Sequence, residues 1–576
     1  MRQEYSDPSL REELSPERSS FPCSFSQQQV WMLERSGDGG SNRCIPAALR
    51  LSGELDVAVL ERSFAEIVRR HQILRTGFSY VKGTLVQIVH EAGHLPLTVL
   101  DLSAVSADAQ RARLETLAEE EAGRACDLEQ GPLARAVLLR LGAKEHVLLV
   151  SLHRLIADEA SHTVLARELE ALYGALWSGR PSPLHELPLQ YGEFARQQKL
   201  GLSGPKLDEH LRYWKRRLQG ASPLQLPTDR PYSSRRQGPW SWQPLTLPGE
   251  LSRALAGAGA RQESRLTTTL LAAFLVLLHR YTREEDITLG VVLSRDGGAD
   301  TEGLIGPLTS PFALRTGVSG ALSFQALREQ VQEQLVEALV HRELPFDALG
   351  DALHLGQDLD PSLLRVMVVI DDAPAPHALP GLTLTPLALR EGTLGYDLTL
   401  RISIDPEGRM TGGLEYCSGL FHAATLSRMA EHFERVLGSL VGRPEQRVWE
   451  VSLLGEQERR LVVEEWNRTR TEYPRQASVH GEFERQVERT PEAVAVEFEG
   501  QALTYRELNR RANQLAHHLR KQGVRAGTPV GLSVERSLEM VVATLGILKA
   551  GGAYVPLEPS YPAERLAFML EDTRVE

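Results

Sequence analysis

Apolar positions along this chain follow two rhythms, and their alternation outlines the fold. Val57, Leu60, Phe64, Ile67 and Val68 recur every three or four residues and predict a helix over 55–70. Val164, Leu165, Leu169, Leu172, Tyr173 and Leu176 form one stripe and predict a helix over 160–177, ended by Gly179 and Pro181. Short apolar runs at 86–89 and 146–152 read as strands. The mixture then returns, with an apolar helix over 266–281, strands over 286–292, 366–370 and 397–404, and a helix over 423–441. A third stretch carries a helix over 505–523, a strand over 530–534 and a helix over 538–549. Helices and strands interleaved in this way predict an α/β protein.

The boundaries follow from composition. Residues 1–20 are polar, with Pro8 and Pro16, and read as a flexible tail or a docking segment. Residues 21–224 and 225–445 form two successive α/β lobes, joined by a connector rich in turn formers at 226–238. A polar linker with Trp449 and Trp466 covers about 446–478, and a further unit occupies 479–576.

Bulk numbers narrow the function classes. A chain of 576 residues is too long for one ordinary core. Its hydrophobic fraction of 42% and charged fraction of 24% are those of a globular protein. A net charge of −12 argues against binding nucleic acid through phosphate contacts. No apolar run is long enough to span a bilayer and no signal-peptide core follows Met1, so a cytoplasmic protein without membrane contact is expected. Cys23, Cys44, Cys126 and Cys417 are scattered without metal-ligand spacing and are read as reduced, packed thiols. No Gly-rich phosphate loop is present.

The densest chemistry lies at Ser151-Leu-His153-Arg154-Leu-Ile-Ala-Asp158-Glu159, after the apolar run that ends at Val150. A histidine, a strong cation and two carboxylates at a strand end stand on a rigid base from which they can reach a cleft.

Several separated segments share a resemblance with this one. Ser24-Phe-Ser26-Gln27-Gln28-Gln29-Val-Trp31, Arg70-His71-Gln-Ile-Leu74-Arg75-Thr76-Gly-Phe78 and Tyr191-Gly-Glu-Phe-Ala195 precede or follow it in order. Leu304-Ile-Gly306-Pro-Leu-Thr-Ser310-Pro-Phe-Ala-Leu-Arg315 and His341-Arg-Glu-Leu-Pro345-Phe346-Asp347 come later. Together these resemble the ordered motifs of the condensation domain of nonribosomal peptide synthetases. Leu503-Thr504-Tyr505-Arg-Glu507-Leu508 and Leu548-Lys549-Ala550-Gly551-Gly552-Ala553-Tyr554 resemble the first motifs of an adenylation domain. That family's ATP-phosphate loop, substrate pocket and catalytic lysine have no counterpart up to Glu576, so this unit is read as an N-terminal fragment that cannot activate an amino acid.

The resemblance implies two lobes like chloramphenicol acetyltransferase, set in a V around a central tunnel. It implies amide formation between an acyl or peptidyl thioester on a donor carrier protein and an amine on an acceptor carrier protein. No cofactor or metal is then bound by the chain itself, because phosphopantetheine is carried by the partner carriers. Neighbouring synthetase modules are further partners.

The family motif HHxxxDG reads here His153-Arg154-Leu-Ile-Ala-Asp158-Glu159. The candidate catalytic positions are His153, Arg154 and Asp158, with Glu159, Arg295 and Ser310 shaping the site. Arginine stands where the family has its second histidine, and it has no acceptor atom and stays charged, so it is no base. Glu159 replaces a glycine and Ser310 replaces an asparagine. By the family pattern His153 is a structural hydrogen-bonding residue, and Asp158 pairs with an arginine of the other lobe, for which Arg295 is the match. His71, His162, His341 and the Tyr396-Asp397 pair are read first as structural. Two functions therefore compete: a condensation enzyme with an altered site, or a catalytically silent platform that binds a carrier or recruits a tailoring enzyme. His-Arg in place of His-His also resembles the oxygenase-recruiting domains of glycopeptide synthetases.

Overall fold

The computed structural model describes residues 20–36, 44–233, 240–256, 263–293, 300–344, 363–373, 377–379, 381–387, 389, 396–405 and 407–575. It divides into two compact units that meet in the chain between Glu458 and Arg459.

The first unit begins with a lobe built in chain order from β1 (Ser20–Pro22), α1 (Phe25–Ser36), β2 (Cys44–Gly53), α2 (Val57–Arg70), β3 (Thr76–Val81) and β4 (Thr84–Val89). There follow β5 (Leu97–Asp101), α3 (Ala107–Gly123), β6 (Ala134–Arg140), β7 (Glu145–His153), α4 (Glu159–Trp177), α5 (Tyr191–Gly201) and α6 (Pro205–Leu218). Asp56 caps α2, its carboxylate accepting from the Ala58 and Val59 amides, and Ser106 caps α3. Strand β7 runs through the middle of a sheet, between β2 and β6, and both pairings are antiparallel. Its side chains alternate between two buried faces. Leu148, Val150 and Leu152 pack with Phe64 and Ile67 of α2 and with Leu165 and Leu169 of α4. Val147 and Leu149 pack under Leu117 and Ala118 of α3. With helices on both faces, each fully buried Leu or Phe contributes about 1.5–3 kcal/mol, and the strand reads as a continuous apolar run.

The second lobe contains β8 (Trp240–Thr246), α7 (Gly249–Ala256), α8 (Glu263–Thr282), β9 (Asp286–Leu293), β10 (Phe312–Gly317), α9 (Phe324–Val340) and β11 (Val366–Asp372). The chain continues through β12 (His377–Leu379), β13 (Leu382–Leu387), β14 (Leu398–Ile404), β15 (Met410–Cys417) and α10 (Ala423–Gly442). Its sheet has the order β10-β9-β11-β14-β15-β8, with β11 parallel to both neighbours. Helix α8 is buried on every side from Leu270 to Leu278. Among the described residues no helix is long and apolar enough to cross a membrane.

Two segments of the second half cross into the first lobe. Strand β13 pairs with β2, so β12 and β13 extend the first sheet beyond residue 224. Leu304 and Ile305 lie in the first lobe's core. The linker expected at 446–478 also begins later than its polarity suggests. Val448 and Val451 are buried in the second lobe, Ser323 bridges to Arg447, and Arg280 donates to the Val448 and Val451 carbonyls. Isolated apolar residues pinned by backbone hydrogen bonds leave no periodic signal, which is why this stretch reads as a linker.

The second unit packs Leu503, Leu508, Ala512, Leu538 and Leu545 into a small core of its own. Its helices Tyr505–Lys521 and Leu538–Ala550 are capped by Thr504 and Ser537.

Candidate functional site

His153 is the last residue of β7, and its ring is fully buried. Its backbone amide donates to the Leu133 carbonyl at 2.8 Å, and its Nδ1 accepts from the Leu155 amide at 3.2 Å. The Ile156 amide returns to the His153 carbonyl at 2.9 Å. The imidazole thus helps to turn the chain sharply off the strand.

Asp158 ends that turn as the N-cap of α4, in a capping box with Ser161. Its Oδ1 accepts from the Ser161 amide at 3.0 Å and the Ser161 hydroxyl at 2.8 Å. Its Oδ2 accepts from the Leu308 amide, the Thr309 amide and the Thr309 hydroxyl, each at 3.1 Å. One buried carboxylate thus ties the strand-end loop to the segment before β10. Arg295, its expected partner, lies outside the described residues, as do Pro345, Phe346, Asp347 and residues 392–395.

Arg154 follows His153 with its side chain 17% exposed, and its Nη1 lies 3.5 Å from Oε1 of Glu159, which is 30% exposed. The two residues that depart from the family motif are therefore ion-paired with each other. The third departure is also engaged: the Ser310 hydroxyl lies 2.7 Å from that of Ser26 at the start of α1.

The other motif segments assemble around this loop. Tyr191 is fully buried at the first turn of α5, and its hydroxyl donates to the Pro307 carbonyl at 3.0 Å. That leaves the Ser24 hydroxyl, 2.9 Å away, to donate to the tyrosine oxygen. Gln27 donates to the Leu155 carbonyl at 3.0 Å and to Gln87 at 3.1 Å. Gly306 sits against the Tyr191 ring with φ at +156°, and a Cβ there would lie 2.0 Å from Tyr191 Cδ2. Ser24, Gln27 and Tyr191 all lie within recognised motifs, but their convergence on Leu155 and Pro307 has no signature in the chain.

The remaining histidines of interest occupy structural positions. His71 Nε2 lies 2.8 Å from Glu168, whose other oxygen accepts from Arg70 at 2.9 Å, and the three join α2 to α4. Burial pushes the Glu168 carboxyl up, but the hydrogen bonds and charges of His71 and Arg70 outweigh it and hold the group below the usual carboxylate range. His162 is half-buried with its Nε2 3.0 Å from the Ile45 carbonyl, and desolvation pushes its ring below the usual histidine value. His341 stacks on Tyr213 and meets His210 at 2.9 Å between Nδ1 atoms. Asp397 accepts from the Tyr232 hydroxyl at 2.9 Å.

A family profile described as the condensation domain matches residues 17–463, and one described as AMP-binding enzyme matches 483–576. The chain belongs to the condensation-domain family. It is a condensation domain of the nonribosomal peptide synthetase type, followed by sequence of the AMP-binding enzyme family. It is 39% identical over 563 residues to a linear gramicidin synthase polypeptide of Brevibacillus parabrevis, covering 97% of this chain and 11% of that protein. The chain therefore spans about a tenth of that relative's length. The fold matches a four-domain nonribosomal peptide synthetase bound to AMP and glycine, with a TM-score of 0.81 at 22% identity, over 98% of this chain and 44% of the other. The X-domain in its complex with OxyB from teicoplanin biosynthesis matches with a TM-score of 0.64 at 29% identity, over 77% of this chain and 97% of that one.

Proposed function

We propose that this condensation domain joins a carrier-bound donor thioester to a carrier-bound acceptor amine without a general base at position 154. The amine attacks the thioester carbonyl, an amide C–N bond forms, the C–S bond breaks, and the amine's proton ends on the departing thiol of the donor's phosphopantetheine arm. Both reactants arrive tethered, so orientation carries much of the rate. Arg154 contributes a fixed cation whose N–H groups stabilise the oxyanion formed at the attacked carbonyl. The observation that carries this reading is the intact scaffold of the loop. Asp158 still clamps α4 to Leu308 and Thr309, and Tyr191 and Gln27 still hold the segments around it. Donor and acceptor carrier proteins and adjacent synthetase modules are the partners in this reading, and the two lobes form the walls of the tunnel in which the carrier arms meet.

Two observations favour a second reading, a platform without chemistry. Arg154 is neutralised by Glu159, and the X-domain, which resembles this chain over most of its own length, was solved in complex with OxyB. A domain of that kind would recruit a tailoring enzyme to a carrier-bound peptide.

Amide formation from two loaded carriers, followed by mass spectrometry, separates the readings. Product above the no-protein control, lost in a folded Arg154→Ala variant, supports the enzyme and excludes the platform. Product absent from the native protein but present with Arg154→His overturns the enzyme reading.

A further inference from the structure

Cys44 and Cys126 are remote in the chain, yet their sulfurs lie 3.9 Å apart. Cys44 is the first residue of β2 and the cross-strand partner of His153. Directly opposed residues share a sheet face, so the Cys44 sulfur lies on the face that carries His153. Cys126 belongs to the irregular segment between α3 and β6.

Arg135 of β6 spans the pair. Its Nη1 lies 3.2 Å from the Cys126 sulfur and its Nη2 3.9 Å from that of Cys44. Its Nε donates to Glu121 at 2.9 Å, so the buried end of α3 holds the guanidinium in place. The two thiols differ in character. Cys44 is buried, whereas Cys126 is partly exposed and open to solvent reagents. The hydrogen bond from Cys44, then that from Arg135 and the nearby His153, outweigh burial and hold the Cys126 thiol well below the ordinary thiol range. The Cys44 thiol is pushed up by the same contact and by burial. Solvent access and the 3.2 Å contact from Arg135 make Cys126 the nucleophile of the pair and the buried Cys44 its protonated partner.

We propose that Cys44 and Cys126 form a peroxide-sensitive thiol pair that closes to a disulfide against the strand end bearing His153. In the first step the Cys126 thiolate attacks one oxygen of hydrogen peroxide. The O–O bond breaks, hydroxide leaves, and Cys126 becomes a sulfenic acid. In the second the Cys44 sulfur attacks the Cys126 sulfur, the S–O bond breaks, and the Cys44 proton leaves with the oxygen as water. Two electrons pass from the thiols to the peroxide. The sulfurs approach from 3.9 Å to about 2.05 Å, a motion taken up by the irregular segment that carries Cys126.

The test treats the full chain with hydrogen peroxide and then alkylates the remaining thiols under denaturing conditions. Alkylated cysteines are expected to fall from four to two. A non-reducing peptide map is expected to link Cys44 to Cys126, and dithiothreitol to reverse the link. Arg135→Gln is expected to slow closure at least about tenfold, since less Cys126 is then thiolate at neutral pH. Cys417→Ser should leave the rate unchanged. Four alkylated cysteines after treatment, a link between other cysteines, or Cys126 oxidised to sulfinic acid without a link each overturn the proposal. The peptide map is made on the native chain, so a variant that fails to fold leaves the test intact. It reads no amide product, so it stands apart from the fate of the condensation reaction.

Discussion

Arg154 and Glu159 stand where the family motif has histidine and glycine, and they form an ion pair with each other, Nη1 to Oε1 at 3.5 Å. Arg154 brings a cation to a site with little solvent, and Glu159 adds bulk and charge at the first turn of α4. Together they neutralise one another. Glu159 also sits at a helix N-terminus, where a negative charge is favourable. The two altered positions of the motif are thus in contact as an ion pair.

The coupling is measurable. A double-mutant cycle of Arg154→Ala and Glu159→Ala, read by denaturant unfolding, is expected to give an interaction of about 1 kcal/mol. Additive effects of the two changes would remove the pair as an energetic unit.

Asp158 holds two segments with one carboxylate. Asp158→Ala strips the helix cap and the acceptor for the Leu308 and Thr309 amides, and is expected to cost about 3 kcal/mol. Asp158→Asn keeps one acceptor oxygen but turns an NH₂ group toward either the Ser161 or the Leu308 and Thr309 donors. Hydrogen exchange should then rise at the amides on whichever side loses its acceptor. Unchanged protection at Ser161, Leu308 and Thr309 in Asp158→Ala would contradict the clamp.

Gly306 has no room for a side chain. Gly306→Ala places a methyl group inside the Tyr191 ring's contact distance and is expected to destabilise by about 2–3 kcal/mol. Adding Tyr191→Ala to that variant should cost less than Tyr191→Ala costs the native chain, because the clash has gone. Equal costs in both backgrounds, measured by thermal unfolding, would refute the close packing.

Glu168 predicts a pH dependence. Its folded value is depressed, so the unfolded chain binds more protons in the acid range and the folded state is favoured above it. This contribution is complete above the ordinary glutamate value of about 4.3 and is lost as pH falls through the lower folded value. Glu168→Gln removes it and leaves Arg70 without its counter-charge, at an expected cost of about 3 kcal/mol at pH 7. The gap between native and variant stability should shrink as pH falls below the ordinary glutamate value, and a gap constant across that range would show that Glu168 does not titrate with folding.

Much of this is legible in the chain. Helices α2, α4, α8 and α10 lie within three residues of their predicted limits, because apolar residues at helical spacing, and in α2 and α4 a capping aspartate, are local signals. Strands β7, β9 and β11 are readable for a similar reason, each being a short apolar run. Strand β2 escapes such a reading, although it lies beside β7. Its run Cys44-Ile-Pro-Ala-Ala-Leu-Arg-Leu is largely buried on both faces and broken by Pro46, so it shows no period of two.

The class of fold, the family and the position of the altered motif all follow from the order of residues, since each rests on local patterning or on residues at fixed separations. The partnerships do not, and they belong to the folded molecule. Folding set β13 on the edge of β2, brought Leu308 and Thr309 onto Asp158, turned Arg154 toward Glu159, and placed the Cys126 sulfur against Cys44. These contacts depend on how loops turn and which strands become neighbours. Both follow from burying the whole core at once, and no short window of residues contains that information.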